Sequence, residues 1–213
     1  MSIKTTDDAW DTAQEYELNC WISECANSVT DRDGYYIDVF SQYTAIPDVI
    51  YEKTLEIGCG PFTKSRAISN FAQLRKITLV DPLLSKYTTH QHCAYRDPRI
   101  RAVYELVTAR GEDFVRPEEY DIGIMINVLM HCQDADAVMD NLIESVRPGG
   151  ILVIGEALHD ADYDGGVGHP LSLTHKWMST KLKGVDPLYE VFGDRETAKG
   201  EEYQDMSFIG RKK

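Results

Sequence analysis

The stretch Leu55-Glu56-Ile57-Gly58-Cys59-Gly60-Pro61-Phe62 places a glycine-rich turn directly between a predicted strand and a predicted helix. Gly58 and Gly60 permit positive φ angles and leave no Cβ between the backbone and a ligand. The N-terminus of the following helix offers backbone N–H groups at the same place. Asp81 ends the next predicted strand, where a carboxylate can accept hydrogen bonds from both hydroxyls of a ribose. This combination predicts a site for the nucleoside half of a cofactor.

The same stretch argues against two other kinds of nucleotide site. A nicotinamide- or flavin-binding G-x-G-x-x-G turn would need a third glycine at position 63, where the sequence has Thr63. The sequence also lacks the G-x-x-x-x-G-K-[ST] pattern of a P-loop. No cradle for a pyrophosphate is therefore expected.

Around the glycine turn, residues 53–155 alternate short β-branched apolar runs with amphipathic stretches, which is typical of a parallel sheet flanked by helices. One helix is predicted from the apolar spacing of Ala67, Ile68, Phe71 and Leu74, and another from about Asp134 to the Pro148-Gly149-Gly150 break. Five strands are predicted here: 53–57, 76–80, 100–105, 120–126 and 150–155. Two more strands, 188–192 and 206–209, are predicted to form a closing antiparallel hairpin.

Further motifs follow in the order expected for one large family. The glycine turn with its preceding Glu56 resembles the first motif of class I S-adenosylmethionine-dependent methyltransferases, and Val80-Asp81-Pro82 resembles the second. Gly111-Glu112-Asp113-Phe114 stands where the family has an acidic contact to adenine. The stretch 120–131 is similar to the family's fourth strand and following turn, and 147–152 to the turn before its fifth strand. The resemblance spans about half of the chain.

This resemblance implies an α/β fold: a Rossmann-like three-layer sandwich with a mostly parallel seven-stranded sheet. The implied strand order is 3-2-1-4-5-7-6 with an antiparallel last strand. Residues 1–50 are helical and aromatic in pattern and are expected to form an N-terminal helical cap. Residues 51–213 would form the methyltransferase domain, giving one structural domain overall.

The resemblance also implies the cofactor, S-adenosylmethionine, and its product, S-adenosylhomocysteine. Asp81 would bind the ribose, and Glu56 would lie near the methionine amino group. Either Glu112 or Asp113 would lie near the adenine amine. The implied cofactor-binding residues are, in full, Glu56, Gly58, Cys59, Gly60, Asp81, Pro82, Glu112, Asp113, Asn127 and Val128.

Two histidines are candidates for a general base that removes a proton from the methyl acceptor. His169, in the polar stretch after the fifth strand, is the preferred candidate, and His131, after the fourth strand, is the second. For His169 a purely structural role is an equally good interpretation, and for His131 the structural role is the better one. No metal is predicted: His90, His92 and Cys93 are too closely spaced for a structural zinc site, and Asp160, Asp162 and Asp164 form an acidic loop in an acidic chain.

The composition restricts the classes of molecule that can accept the methyl group and indicates where the protein is located. The formal net charge of −13 would repel a phosphate backbone, so nucleic acid is excluded as a partner. No apolar run approaches the roughly 20 residues that cross a bilayer, so no membrane is expected. Five cysteines without a CxxC pair indicate reduced thiols and a cytoplasmic protein. The protein is expected to be a monomer or homodimer.

The sequence therefore predicts methyl transfer to an oxygen or nitrogen of a small molecule: a sugar, a glycan or a natural-product intermediate. Two alternatives stay open at this point. One is a methyltransferase-like scaffold or regulatory subunit that binds the nucleoside without catalysis. The other is aminopropyl transfer from a decarboxylated cofactor.

Overall fold

The computed structural model describes residues 3–24, 41–90, 93–159, 166–196 and 202–213. Seven strands form one sheet in the order β3-β2-β1-β4-β5-β7-β6. In chain order they are β1 (Thr54–Ile57), β2 (Ile77–Val80), β3 (Tyr104–Val107), β4 (Tyr120–Ile126), β5 (Val146–Leu158), β6 (Val185–Glu196) and β7 (Glu202–Lys212).

The strand directions match the predicted fold class. All neighbouring pairs from β3 to β5 are parallel. Strand β7 runs antiparallel to both β5 and β6. The prediction of a mostly parallel seven-stranded sheet with an antiparallel last strand is confirmed.

Strand β4 shows why the sheet is covered on both faces. Successive side chains of a strand point to opposite faces, so a strand buried twice is apolar throughout. Ile124 and Ile126 pack on the face that also holds Ile68. Met125 packs on the opposite face with Val138. The carboxyl ends of β1, β2 and β4 therefore lie side by side at one edge of a rigid core.

Helices flank the sheet and connect the strands. They are α1 (Asp7–Asn19), α2 (Ser65–Ile68), α3 (Leu84–Tyr87), α4 (Pro98–Arg101), α5 (Ala135–Ser145) and α6 (His175–Lys181). Short 3₁₀ segments occupy Ser41–Ala45, Ala94–Arg96, Gly111–Asp113, Leu129–His131 and Leu182–Gly184. A π-helical turn spans Cys20–Glu24, and Ile50–Tyr51 pairs in parallel with Gln73–Leu74 as a second, two-stranded sheet. Within the described ranges, no helix is both long and apolar enough to span a membrane.

Several predicted elements have different bounds in the structure. The helix predicted to run up to Pro148 ends at Ser145, and strand β5 begins at Val146. The helix predicted through Leu74 ends at Ile68, where the Asn70 side chain donates to the carbonyl of Ala67 over 3.0 Å and so satisfies that group locally. The strand predicted to begin at residue 100 begins at Tyr104, because Pro98–Arg101 form a helical turn. The residues considered for metal binding at 92, 160, 162 and 164 lie outside the described residues.

Helix α1 is attached to the carboxyl edge of the sheet. Lys4 forms an ion pair with Asp134 at 2.5 Å, and the backbone N–H of Thr5 donates to the carbonyl of Gln133. Further along, the Gln14 amide donates to the carbonyl of His131 over 3.0 Å. These contacts fix α1 above the turns that follow the central strands.

Candidate functional site

A cavity opens at the carboxyl ends of the three central strands, beneath α1. Gly58, Asp81 and Asn127 each directly follow one of these strands and line it. Trp10 and Glu17 line it from α1. Ligands of open α/β sheets bind at this edge, so the fold and the cavity point to the same place.

The glycine turn is shaped by close packing. Gly58 has φ +70°, and a Cβ at this position would lie 2.3 Å from a methyl carbon of Val128. Gly60 also has positive φ, +56°, but a Cβ there would meet nothing within 4 Å. Gly58 is thus required by both conformation and space, whereas Gly60 is required by conformation alone.

Asp81 fixes the glycine turn to the turn after β2 through hydrogen bonds. Its carboxylate accepts hydrogen bonds from the backbone N–H groups of Gly60 at 3.0 Å and Leu83 at 2.8 Å. Burial raises the pKa of Asp81 to about 6, although both hydrogen bonds oppose that change. Asp81 lines the cavity together with Pro82.

Three residues of the predicted cofactor set, Glu56, Cys59 and Asp113, do not line the cavity. Glu56 is fully buried and accepts hydrogen bonds from the backbone N–H groups of Lys64 and Ser65 and from the hydroxyls of Thr63 and Ser65. It therefore holds the start of α2. Cys59 is buried in an apolar cluster, and burial keeps the pKa of its thiol well above the usual value.

The structure separates the two acidic candidates of the 3₁₀ segment. Glu112 lines the cavity, and its Oε1 accepts from the backbone N–H groups of Gln133 and Asp134. Asp113 faces solvent and forms a two-point ion pair with Arg110 at 2.6 and 3.0 Å. Of the pair, Glu112 is the residue that a ligand in the cavity can reach.

The turn after β4 is held from below by an acidic residue that the sequence did not single out. Asn127 and Val128 line the cavity, and Asn127 has a positive φ of +58°. The buried carboxyl of Glu156 accepts from the backbone N–H groups of Val128 at 3.0 Å and Leu129 at 3.2 Å. Burial raises the pKa of Glu156 to about 8. An acidic residue inside the apolar strand β5 was the available signal.

The two candidate bases lie in contact, with ring centroids 4.7 Å apart. His131 lines the cavity, whereas His169 packs behind it. Nδ1 of His131 lies 2.9 Å from the carbonyl of Gly168, and a carbonyl can only accept, so Nδ1 carries a proton. Burial, followed by the proximity of His131, lowers the pKa of His169 to about 4.

Two charged residues at the cavity were missed as site residues. Lys64 is 7% exposed, lines the cavity and donates from Nζ to the carbonyl of Gly58 over 2.9 Å. Glu17 accepts from the indole N–H of Trp21, and its Oε2 lies 3.7 Å from Nδ1 of His131. The spacing of Trp10, Glu17 and Trp21 was a usable signal for α1, since these positions share one helical face.

Comparison with known proteins gives a consistent result. Residues 55–154 match a family model described as a methyltransferase domain. The chain is 24% identical over 149 residues to a ubiquinone biosynthesis O-methyltransferase of Hydrogenovibrio crunogenus. This match covers 65% of this chain and 58% of that protein. The chain is also 26% identical over 137 residues to a highly reducing polyketide synthase of Phaeosphaeria nodorum, covering 62% of this chain and 5% of that protein. The chain thus spans less than two thirds of either curated relative.

Solved structures share the whole architecture. The N-methyltransferase NodS from Bradyrhizobium japonicum, in complex with S-adenosylhomocysteine, superposes with a TM-score of 0.68 at 18% identity, over 97% of this chain and 99% of that one. A Burkholderia thailandensis 1,6-didemethyltoxoflavin-N1-methyltransferase, with 1,6-didemethyltoxoflavin and S-adenosylhomocysteine bound, gives a TM-score of 0.66 at 14% identity, over 98% of this chain and 91% of that one. The [4+2]-cyclase SpnF gives 0.68 at 13% identity, over 96% of each chain. At these identities the likeness shows a common fold.

Proposed function

The chain belongs to the class I, Rossmann-like S-adenosylmethionine-dependent methyltransferases, and on this premise we propose that it methylates an oxygen or nitrogen of a small molecule. The acceptor is a sugar, a glycan or a natural-product intermediate. The observation that carries the proposal is the junction of Gly58, Asp81 and Asn127 in one cavity at the carboxyl ends of the central strands.

The residues present fit the cofactor of this family. A Cβ at Gly58 would collide with Val128, so the two turns can pack together at the cavity only because position 58 is glycine. Asp81 borders that space with a carboxylate suited to ribose hydroxyls, and Glu112 borders it with a carboxylate suited to an adenine amine. When bound, S-adenosylmethionine supplies an electrophilic methyl group on a sulfonium centre.

Electrostatics supports the same ligand. Among the described residues that line the cavity, Glu17, Asp81 and Glu112 carry carboxyl groups, and Lys64 is the one lysine or arginine. A cation is therefore favoured over an anion in this cavity. S-adenosylmethionine has one net positive charge, because its sulfonium adds to a zwitterionic amino-acid end.

For a hydroxyl acceptor, we propose His131 as the base. With Nδ1–H donated to the carbonyl of Gly168, the neutral ring keeps its lone pair on Nε2, which can accept the acceptor's proton. His169 supports the ring from behind by an edge contact. An amine acceptor that is already neutral needs no such base, and the chain then contributes proximity and orientation.

The net charge and the free thiols bear on the class of acceptor and on the cellular location. The net charge of −13 disfavours nucleic acid as the acceptor. Four cysteines in the described ranges are free thiols, which supports a reducing, cytoplasmic location. We place the cap at 1–50 and the methyltransferase domain at 51–213 of one structural domain, acting as a monomer or homodimer without a membrane.

A second candidate is a non-catalytic, nucleoside-binding subunit. The likeness to the [4+2]-cyclase SpnF supports considering this candidate, because the same fold there serves a function other than methyl transfer. The two candidates differ in product: only the methyltransferase converts S-adenosylmethionine to S-adenosylhomocysteine when an acceptor is supplied.

Isothermal titration with S-adenosylmethionine and S-adenosylhomocysteine tests the cofactor site. Wild type and an Asp113→Ala control, which changes a solvent-facing acid, should bind both compounds. Asp81→Ala should bind at least about tenfold more weakly, because the carboxylate on the ribose side is gone. A folded wild type that binds neither compound would refute the proposal. Screening sugars, phenols and amines for S-adenosylhomocysteine formation then separates the enzyme from the scaffold.

A further inference from the structure

The side chain of Lys64 is directed at the glycine turn instead of at solvent. Its backbone N–H donates to Oε1 of buried Glu56 over 2.9 Å, and the next residue, Ser65, donates to Oε2 at 3.0 Å. These bonds fix the backbone of Lys64. From there, Nζ reaches back six residues and donates to the carbonyl of Gly58 over 2.9 Å.

The charge of Lys64 is placed deep in an acidic environment. The residue is only 7% exposed and borders the cavity. Its positive charge lowers the pKa of both Asp81 and Glu156, although burial is the larger effect at each. A lysine is held nearly buried at a real cost in desolvation, and here it is the one lysine or arginine among the described residues that line the cavity.

We propose that Lys64 binds the carboxylate of the amino-acid end of the cofactor. Lys64 lines the cavity at the glycine turn, where its Nζ donates to the carbonyl of Gly58. A carboxylate that leaves water needs a cationic hydrogen-bond donor, and among the described residues that line the cavity Lys64 is the one lysine or arginine that can supply it. Glu17, on the same cavity, is suited to the ammonium of the same amino-acid end.

A rival role for Lys64 is purely structural. The bond from Nζ to the Gly58 carbonyl could serve only to hold the glycine turn. Both roles predict weaker cofactor binding when Lys64 is replaced. They differ in one respect: a turn that loses its shape affects every adenosine compound, whereas a lost ion pair affects only compounds that carry the carboxylate.

The experiment therefore compares two ligands by isothermal titration. One is S-adenosylhomocysteine, and the other is 5′-deoxy-5′-(3-aminopropylthio)adenosine, which is the same molecule without its carboxylate. Wild type should bind S-adenosylhomocysteine about 10- to 100-fold more tightly. Lys64→Met should lose that preference by weakening S-adenosylhomocysteine alone, and Lys64→Arg should restore part of it. Lys86→Met, which changes an exposed lysine on α3, should alter either affinity by less than about twofold.

Several results would overturn the inference. Equal affinity of wild type for the two ligands would do so without any variant, and so would parallel weakening of both ligands in Lys64→Met. If Lys64→Met does not fold, Lys64→Gln is measured against the same criterion. Since the inference rests on the proposed cofactor site, a folded wild type that binds neither ligand removes both, whereas tight binding of both by wild type removes only the assignment of Lys64.

Discussion

The backbone of Gly58 lies directly against the side chain of Val128, so that a Cβ on residue 58 would come within 2.3 Å of one valine methyl and 2.6 Å of the other. The two residues belong to turns after adjacent strands, β1 and β4. Both residues line the cavity. Their contact joins the glycine turn after β1 to the turn after β4.

Replacing Gly58 by alanine should therefore be far more harmful than replacing Gly60. The positive φ of either residue costs alanine about 1–2 kcal/mol. At Gly58 the collision with Val128 adds to this, for a total of about 2–5 kcal/mol. Urea unfolding of Gly58→Ala and Gly60→Ala measures the difference. Adding Val128→Ala should recover part of the loss at position 58 and none at position 60; recovery at neither would show that the contact does not limit the turn.

A second prediction concerns the acidic pair of the 3₁₀ segment. Glu112→Gln should weaken both S-adenosylhomocysteine and 5′-methylthioadenosine by about tenfold, because both contain adenine and the carboxylate has lost its charge. Asp113→Asn is the matched control, since Asp113 pairs with Arg110 outside the cavity. It should change either affinity by less than about twofold. A larger loss from Asp113→Asn than from Glu112→Gln would reverse the assignment.

The central sheet and the main turns could be predicted because their signals are local. Strand β4 is apolar along its whole length, which is what burial on both faces requires. A strand, two glycines and an acid after the next strand fix the positions of Gly58, Gly60 and Asp81 within a few residues. The start of β3 was missed although its signal was present, since Asp97-Pro98 is a typical helix start and Oδ1 of Asp97 accepts from the N–H of Arg99.

The directions of side chains at the site could not be predicted, because they depend on partners distant in sequence. Glu56 was expected beside the cofactor, but the hydroxyls and N–H groups of residues 63–65 surround it. The same capping by Glu56 fixes the backbone of Lys64 and so the direction of its side chain. Because the role of Glu56 was not predicted, Lys64 was not predicted as a site residue either. Similarly, the choice between His131 and His169 depends on a loop carbonyl, that of Gly168, which only the folded chain brings to Nδ1.

A third prediction tests His131 as the base. With a hydroxyl acceptor found by screening, His131→Asn should lower kcat by about 10²- to 10⁴-fold. The affinity for S-adenosylhomocysteine should stay nearly unchanged, because the proposed role concerns only the acceptor's proton. His175→Asn, an exposed histidine on α6, is the control for loss of an imidazole. A kcat of His131→Asn within about twofold of wild type would assign the role of base to another group.

The last prediction concerns Glu156 and pH. Burial raises the pKa of this carboxyl from 4.5 to about 8 in the folded chain, so the folded state holds a proton that the unfolded state has released between these values. Stability rises with pH only where the unfolded state binds more protons, so here the sign is reversed. The contribution of Glu156 is fully present below about pH 4.5 and is lost as the pH rises through about 8.

Urea unfolding at about pH 5 and about pH 9 checks this sign against Glu156→Gln, which cannot titrate. Relative to that variant, wild type should lose about 2–4 kcal/mol between the two values. Glu144→Gln, an exposed glutamate at the end of α5, should run parallel to wild type. A difference between wild type and Glu156→Gln that stays constant with pH would mean that the N–H groups of Val128 and Leu129 hold Glu156 as a carboxylate. The turn beside the cofactor site would then be supported by a charge, and not by a neutral acid.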